Sequence, residues 1–430
     1  MSVGMMPAYS SKSSTLWGTK MQRAASKAKS DRSVLNWNQQ NWRKYEIRHL
    51  PKYRNNSLIK KVLNQISCGN SVVDHKEIDV LSQKLTNFDA RNDFLLFIGD
   101  CCEAFSDSSK EKTLAKVDFY KEVGSIIKRK SGRSPLVIGR LAGQYAKPRS
   151  SETEIVNGNH ISTFKGEMIN SPAVLPIQRE PSPWRLLEAY RKSKQIAADI
   201  DREFGGESGE SLFLSHEALN LYYEEAQVKF KGDSTIPYLT STHFPWVGAR
   251  TNRPQSAHIE FLSGIKNPAG IKVGPDSNIC DVVTIIHKLR RLDSERPVVL
   301  FPRFGNKNIL KSKELVSIVN DEFGKNVLWV IDPMHGNTFT SEEGVKTRSF
   351  EAILGEIEKF IGILYSLKIP LSGIHIESSF ENVTECLGGP SAISERDLTK
   401  RYESLVDPRL NNLQTKYLVA RIFAYKGVRK

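Results

Sequence analysis

The strongest constraint on this chain is a rhythm. From residue 94 onward short β-rich apolar runs recur, each separated from the next by an amphipathic helical stretch or a polar loop. Eight such runs stand at 94–98, 136–138, 212–214, 238–240, 270–273, 298–301, 327–331 and 373–376, and helical periodicity appears at 110–130, 183–203, 217–230, 277–291, 311–322 and 348–366. Alternation of this kind places the chain in the α/β class. An open doubly wound sheet also satisfies it, but eight repeats of this size favour a closed (β/α)8 TIM barrel, whose functional groups sit where strands end and the following loops begin.

Residues 34–90 read as an N-terminal helical extension, with Leu58, Ile59, Val62, Leu63 and Ile66 at helical spacing. Residues 91–430 read as the barrel catalytic domain with a C-terminal metal-ligand segment, and the long polar stretch 151–181 as an active-site loop. Residues 1–33 read as a flexible basic arm. The formal net charge of +14 raises the question of nucleic acid, and its location answers it: residues 1–60 hold 12 Lys and Arg against Asp31 and Glu46, which leaves +4 for the other 370. A modestly basic body suits small anionic substrates better than nucleic acid. No apolar run approaches the ~20 residues of a membrane span, and no secretory apolar segment opens the chain. Cys68, Cys101, Cys102, Cys280 and Cys386 are odd in number and scattered, so the expectation is a reducing, cytoplasmic location with free thiols.

The chemistry-bearing residues fall where a barrel needs them. The first run leads into Gly-Asp-Cys-Cys-Glu at 99–103, the seventh into Asp-Pro-Met-His-Gly-Asn at 332–337, and the eighth holds His375 and ends at Glu377. First, seventh and eighth strands are neighbours in a closed barrel, so a thiolate, an imidazole and a carboxylate converge at one rim. Asp407, after the barrel closes, offers a fourth ligand. A Cys, His, Glu and Asp set suits Mn, Co, Fe or Zn better than Mg. His335, in a Gly- and Asn-rich turn, is preferred to His375, although each residue taken alone has an ordinary reading as core or packing. A second constellation is basic: Arg140, Lys147, Arg149 and Ser150 after the second run, Arg250 after the fourth, Lys272 in the fifth and Arg303 after the sixth. Cations at a barrel mouth need anions. Arg forks and Lys point charges match a substrate bearing both phosphate and carboxylate, and the cluster of Lys147, Arg149 and Ser150 calls for a second phosphate.

At this point the chain resembles the class II, or plant-type, 3-deoxy-D-arabino-heptulosonate 7-phosphate (DAHP) synthases, in their short form. The resemblance runs from about residue 37 to 424. It rests on Gly-Asp-Cys-Cys-Glu-Ala-Phe at 99–105, Arg-Leu-Ala-Gly-Gln-Tyr-Ala-Lys-Pro-Arg-Ser at 140–150, Gly-Ile-Lys-Val-Gly-Pro at 270–275, Asp-Pro-Met-His-Gly-Asn-Thr at 332–338, Glu-Asn-Val-Thr-Glu-Cys at 381–386 and Asp-Pro-Arg-Leu-Asn at 407–411. It implies a metal-dependent, aldol-like condensation of phosphoenolpyruvate with erythrose 4-phosphate, the first step of the shikimate pathway. The implied metal ligands are Cys101, His335, Glu377 and Asp407. Arg140, Arg250, Lys272 and Arg303 would hold phosphoenolpyruvate, and Lys147, Arg149 and Ser150 the sugar phosphate. Lys272 would also move a proton, and a homodimer is expected, with the extension packed on the second subunit.

Three departures qualify that picture. Ala249 stands where the family usually has a Glu able to position the attacking water, Ser378-Ser379-Phe380 replaces a Thr-Gly-containing turn, and Cys102 replaces an Ala. Ala249 therefore opens the alternatives of another aldose phosphate or an inactive paralogue. About ten residues join 201 to 212 where longer relatives insert a helical pair that helps bind aromatic amino acids, so weak or absent feedback by tryptophan is expected. Two further readings compete: a Schiff-base aldolase using Lys272, and an acidic-surface or nucleic-acid binder driven by the basic arm.

Overall fold

A computed structural model describes residues 37–425 and 428, apart from 157, 205–211 and 233. The basic arm and the Gly-Gly-Glu-Ser-Gly-Glu joint at 205–210 lie outside these residues. Eight parallel strands form a closed barrel: β1 (Asp93–Gly99), β2 (Ser134–Arg140), β3 (Phe213–Glu217), β4 (Phe244–Val247), β5 (Ala269–Val273), β6 (Val298–Pro302), β7 (Val327–Ile331) and β8 (Gly373–Glu377). Each strand pairs with its sequence neighbours, and β8 returns to β1 with His375 opposite Phe97 and Glu377 opposite Gly99. The α/β barrel expected from the rhythm is therefore present, and strands one, seven and eight are adjacent.

The helices are α1 (Asn56–Cys68), α2 (His75–Thr86), α3 (Lys110–Ser131), α4 (Pro183–Phe204), α5 (Leu221–Ala226), α6 (Ala257–Leu262), α7 (Ile279–Leu289), α8 (Ser312–Phe323), α9 (Phe350–Ser366) and α10 (Asn412–Ile422). Their ends follow capping chemistry. Ser109 accepts from the Lys112 amide to start α3, Lys128, Arg129 and Lys130 complement its C-terminal dipole, and Gly132 at φ 70° stops it.

Three segments depart from the sequence pattern. The fourth strand is Phe244–Val247, not 238–240; Tyr238–Leu239 instead pairs with Val228–Lys229 in a small antiparallel hairpin. Pro245 hides β4 from the sequence pattern because a proline lacks the amide that a central strand normally donates. That same hairpin cuts the helix expected at 217–230 down to Leu221–Ala226. The stretch 151–181 is not bare loop: Thr153–Val156 pairs with Asn159–Ser162, and Pro176–Arg179 forms a 3-10 turn whose buried Arg179 binds Glu154.

Inside the barrel Phe97, Phe244 and Phe301 meet edge to face, with Phe97 5.0 Å from each of the other two. Leu81 and Leu85 of α2 join this interior cluster, while Ile59, Val62, Ile66 and Ile78 belong to the layer between strands and helices. The N-terminal extension thus shares the barrel's core.

Candidate active site

Alternation along the strands sets the rim. Two residues beyond the inward-facing Ile138, Phe301, Val330 and His375 stand Arg140, Arg303, Asp332 and Glu377, so the lining turns from ring and aliphatic to charge within one pleat. The β2 loop is bent by Glu103, whose buried carboxylate accepts the amides of Ala142, Gly143 and Gln144 at 3.1, 2.9 and 2.8 Å. Gly143 is obligatory there: φ is 153°, and a Cβ would lie 2.2 Å from the His216 ring. This bend carries Lys147 back over the rim.

Cys101, Glu377 and Asp407 form a buried group whose ligand atoms all lie within 4.8 Å of one another. His335 Nε2 is 3.0 Å from Glu377 Oε1. At the centre stands the Lys147 ammonium, 3.0 Å from Cys101 Sγ, 2.9 Å from Asp407 Oδ2, 3.2 Å from Glu377 Oε1 and 3.3 Å from His335 Nε2. One cation thus touches all four of the ligands expected from the sequence, and a thiol, an imidazole and two carboxylates fit a borderline divalent metal.

Electrostatics follow the same logic. Burial works against ionisation of Glu377 and Asp407, yet His335, Lys147 and Arg348 around Glu377, and Lys147, Arg348 and Lys346 around Asp407, hold both carboxyls well below the usual range. Burial and the Glu377 charge push the Cys101 thiol up to about 12. Burial lowers the Lys272 and His335 values, with Asp332 opposing in both cases. Asp332 accepts from His335 Nδ1 at 2.8 Å and pairs with Lys272 Nζ at 2.9 Å, which leaves Nε2 of His335 facing the cage.

Supports from outside the strand ends complete the cage, and the sequence pattern passed over them. Arg348 and Lys346 come from a hairpin, Thr338–Thr340 with Lys346–Arg348, that follows β7. Arg348 reaches Glu377 Oε2 at 2.8 Å and donates to the Pro408 carbonyl, while Lys346 pairs with Asp407. Arg409 binds Asp100 at 2.6 Å and Glu385 at 2.7 Å, which ties the segment bearing Asp407 to the β1 loop.

Above the cage opens a cavity of about 620 Å³, lined among others by Lys147, Arg149, Ser150, Arg250, Lys272, Arg303 and His335. Arg250 donates to Ser150 Oγ at 2.9 Å, and Arg303 to the His335 carbonyl at 3.2 Å. Arg140 is placed differently. It lies beneath the rim, bound to the Asp100 and Cys101 carbonyls, His375 Nε2 and Glu377, and does not line the cavity. His375 is fully buried among Phe97, Trp246 and Phe301, where burial holds its value well below normal and its Nε2 sits 2.7 Å from Arg140. It positions Arg140 and stands apart from the cage. Ala249 lines the cavity, as do Glu217, Arg48 and His49, which the strand-end rule had not singled out. Among the described residues no helix is long and apolar enough to cross a membrane.

The family described as Class-II DAHP synthetase matches residues 37–206 and 196–423. A phospho-2-dehydro-3-deoxyheptonate aldolase of Neurospora crassa is 31% identical, covering 89% of this chain and 94% of its own length. One from Streptomyces coelicolor is 32% identical over 89% and 96% of the two chains, and phospho-2-dehydro-3-deoxyheptonate aldolase AroG of Mycolicibacterium smegmatis is 31% identical over 80% and 86%. A solved truncated form of 3-deoxy-D-arabino-heptulosonate 7-phosphate synthase from Thermotoga maritima is more distant, at 14% identity and a TM-score of 0.38 over 77% of this chain and 85% of that one. On the strength of the family match and of relatives alike over nearly their whole length, the chain belongs to the class-II DAHP synthetase family of enzymes.

Proposed function

We propose that the chain condenses phosphoenolpyruvate with erythrose 4-phosphate in a metal-dependent reaction, feeding the shikimate pathway. The observation that carries this reading is a cation-lined cavity opening over a Cys, His, Glu and Asp cage. Cys101, His335, Glu377 and Asp407 would hold a divalent metal, which supplies Lewis acidity toward an aldehyde oxygen. Arg250, Lys272 and Arg303 bind the phosphate and carboxylate of phosphoenolpyruvate, Arg140 braces the floor, and Arg149 and Ser150 take the aldose phosphate, joined by Lys147 once a metal replaces its ammonium at the centre of the cage. The enol carbon attacks the aldehyde carbon, water adds at C2, and inorganic phosphate leaves. Lys272, paired with Asp332, holds the proton at the floor of the cavity. The homodimer belongs to the same reading and is measured by light scattering.

The test is phosphate release from phosphoenolpyruvate, with and without erythrose 4-phosphate, before and after chelation and add-back of Mn, Co, Fe or Zn. Aldehyde-dependent release that vanishes on chelation and returns with metal is the expected result. Release that survives chelation, with a borohydride-trapped adduct at Lys272, would replace it with imine chemistry. Ala249 on the cavity wall motivates a second reading, a different aldose phosphate, and a panel of three- to five-carbon acceptors in the same assay decides between them.

A further inference from the structure

The N-terminal extension reaches the cavity through an arch held at both ends. On one side the Glu46 amide donates to Gln255 O at 3.1 Å, the Ala257 amide donates to Glu46 O at 2.9 Å, and Trp42 Nε1 donates to Glu225 at 2.7 Å. On the other, Pro51 is buried, and Tyr53 meets Tyr222 edge to face at 6.0 Å and accepts from Asn220 at 3.1 Å. Between these anchors Arg48 and His49 line the cavity. His49 sits at φ 56°, a left-handed backbone that strains a residue with a Cβ. Such strain persists where the surroundings impose it, and it concentrates at functional sites.

The arch faces a defined part of the cavity. His49 is half-buried, and after burial itself the charges it feels are those of Arg250, Glu217, Lys165 and Glu152. Arg250, a phosphoenolpyruvate ligand in the proposed function, donates to Ser150 beside Arg149 and so marks the boundary of the acceptor subsite. Among the described residues Arg48 pairs only with its neighbour Glu46, at 2.5 Å with both side chains more than a third exposed, a weak surface pair that an incoming dianion displaces.

We propose that Arg48 and His49 form the outer end of the acceptor subsite, binding the phosphate-bearing tail of the aldose phosphate and so measuring its length. This rests on the reading of the cavity as the meeting place of phosphoenolpyruvate and an aldose phosphate. Arg48 supplies a fork for phosphate oxygens and His49 an N–H donor beside it, on a backbone fixed at both ends.

Kinetics of Arg48→Ala and His49→Gly test it, the second chosen because glycine keeps the left-handed backbone and relieves its strain. Erythrose 4-phosphate, glyceraldehyde 3-phosphate and arabinose 5-phosphate serve as acceptors. KM for erythrose 4-phosphate is expected to rise about tenfold in each variant, the value of one lost charge-assisted hydrogen bond, with KM for phosphoenolpyruvate held within about twofold. The ratio of kcat/KM between the acceptors shifts as well. Unchanged acceptor KM and ratios in active variants overturn the arch alone. A native protein that releases phosphate with no aldose phosphate overturns the proposed function, and the arch's role with it.

Discussion

The interior of the barrel and its rim are built on the same strands, one pleat apart, and they are held by different physics. Below, Phe97, Phe244 and Phe301 pack ring against ring, with Trp246 6.4 Å from Phe301. Above, Arg140, Glu377, Lys147, Asp407 and Arg348 form a buried ion network. The lower layer fixes geometry by volume, and the upper by charge. Each needs the other: an apolar floor keeps water from beneath the charges, which strengthens every interaction among them, and the ions are tolerated there because each is paired. His375 joins the two, its ring among the aromatics and its Nε2 on Arg140.

Removing a rim donor should leave the interior intact. Cys101→Ala is expected to lower phosphate release on the order of a thousandfold, about 4 kcal/mol of barrier, while the melting temperature stays close to native. Retention of more than a tenth of native turnover would mean that the thiol is no ligand. The converse change attacks volume. Phe301→Ala should cost about 3–4 kcal/mol in urea unfolding and Phe301→Leu, which keeps most of the bulk, about 1.5 or less. Equal losses in the two would show that packing is not what the ring supplies.

A third experiment separates scaffold from rim by pH. His258, on α6 with Nε2 3.0 Å from the Leu219 carbonyl, is buried, and burial lowers its value from 6.5 to about 4. Between those values the unfolded chain binds the proton that the folded chain refuses, so stability is full above 6.5 and falls as pH drops toward 4. The expected loss is about 2 kcal/mol by about pH 5, read from urea midpoints, and His258→Gln should flatten that slope. A native slope persisting in the variant would move the origin to other groups.

How far all this was legible depended on whether a feature was local. Seven of the eight strands announced themselves as apolar runs, and the rim residues followed because a barrel puts function at strand ends. β4 stayed hidden because Pro245 breaks its pattern, whereas Tyr238–Leu239 has strand chemistry but pairs outside the barrel. Arg348 and Lys346 arrive on a hairpin, and Arg48 and His49 on an arch from the extension. Nothing in their own neighbourhoods points at Glu377, Asp407 or the cavity; only tertiary packing does.

Glu356 of α9 gives the finest division between holding a rim and being part of it. Its Oε1 accepts the amides of Phe304 and Gly305 at 3.0 and 2.8 Å, and its Oε2 accepts from Asn337 Nδ2 at 2.6 Å. One carboxylate therefore staples the loop of Arg303 to the loop of His335 from behind. Glutamine keeps an acceptor for the two amides but turns its own NH2 toward Asn337. Asn337 cannot answer by flipping without penalty, because its Oδ1 already accepts the Asn306 amide at 2.9 Å and its Nδ2 serves the Pro333 carbonyl at 2.8 Å. Glu356→Gln should thus lose one hydrogen bond, about 1 kcal/mol, and raise KM for phosphoenolpyruvate several-fold with the metal requirement unchanged. If KM stays native while metal affinity falls, the staple serves the His335 loop alone, and the two loops are set independently.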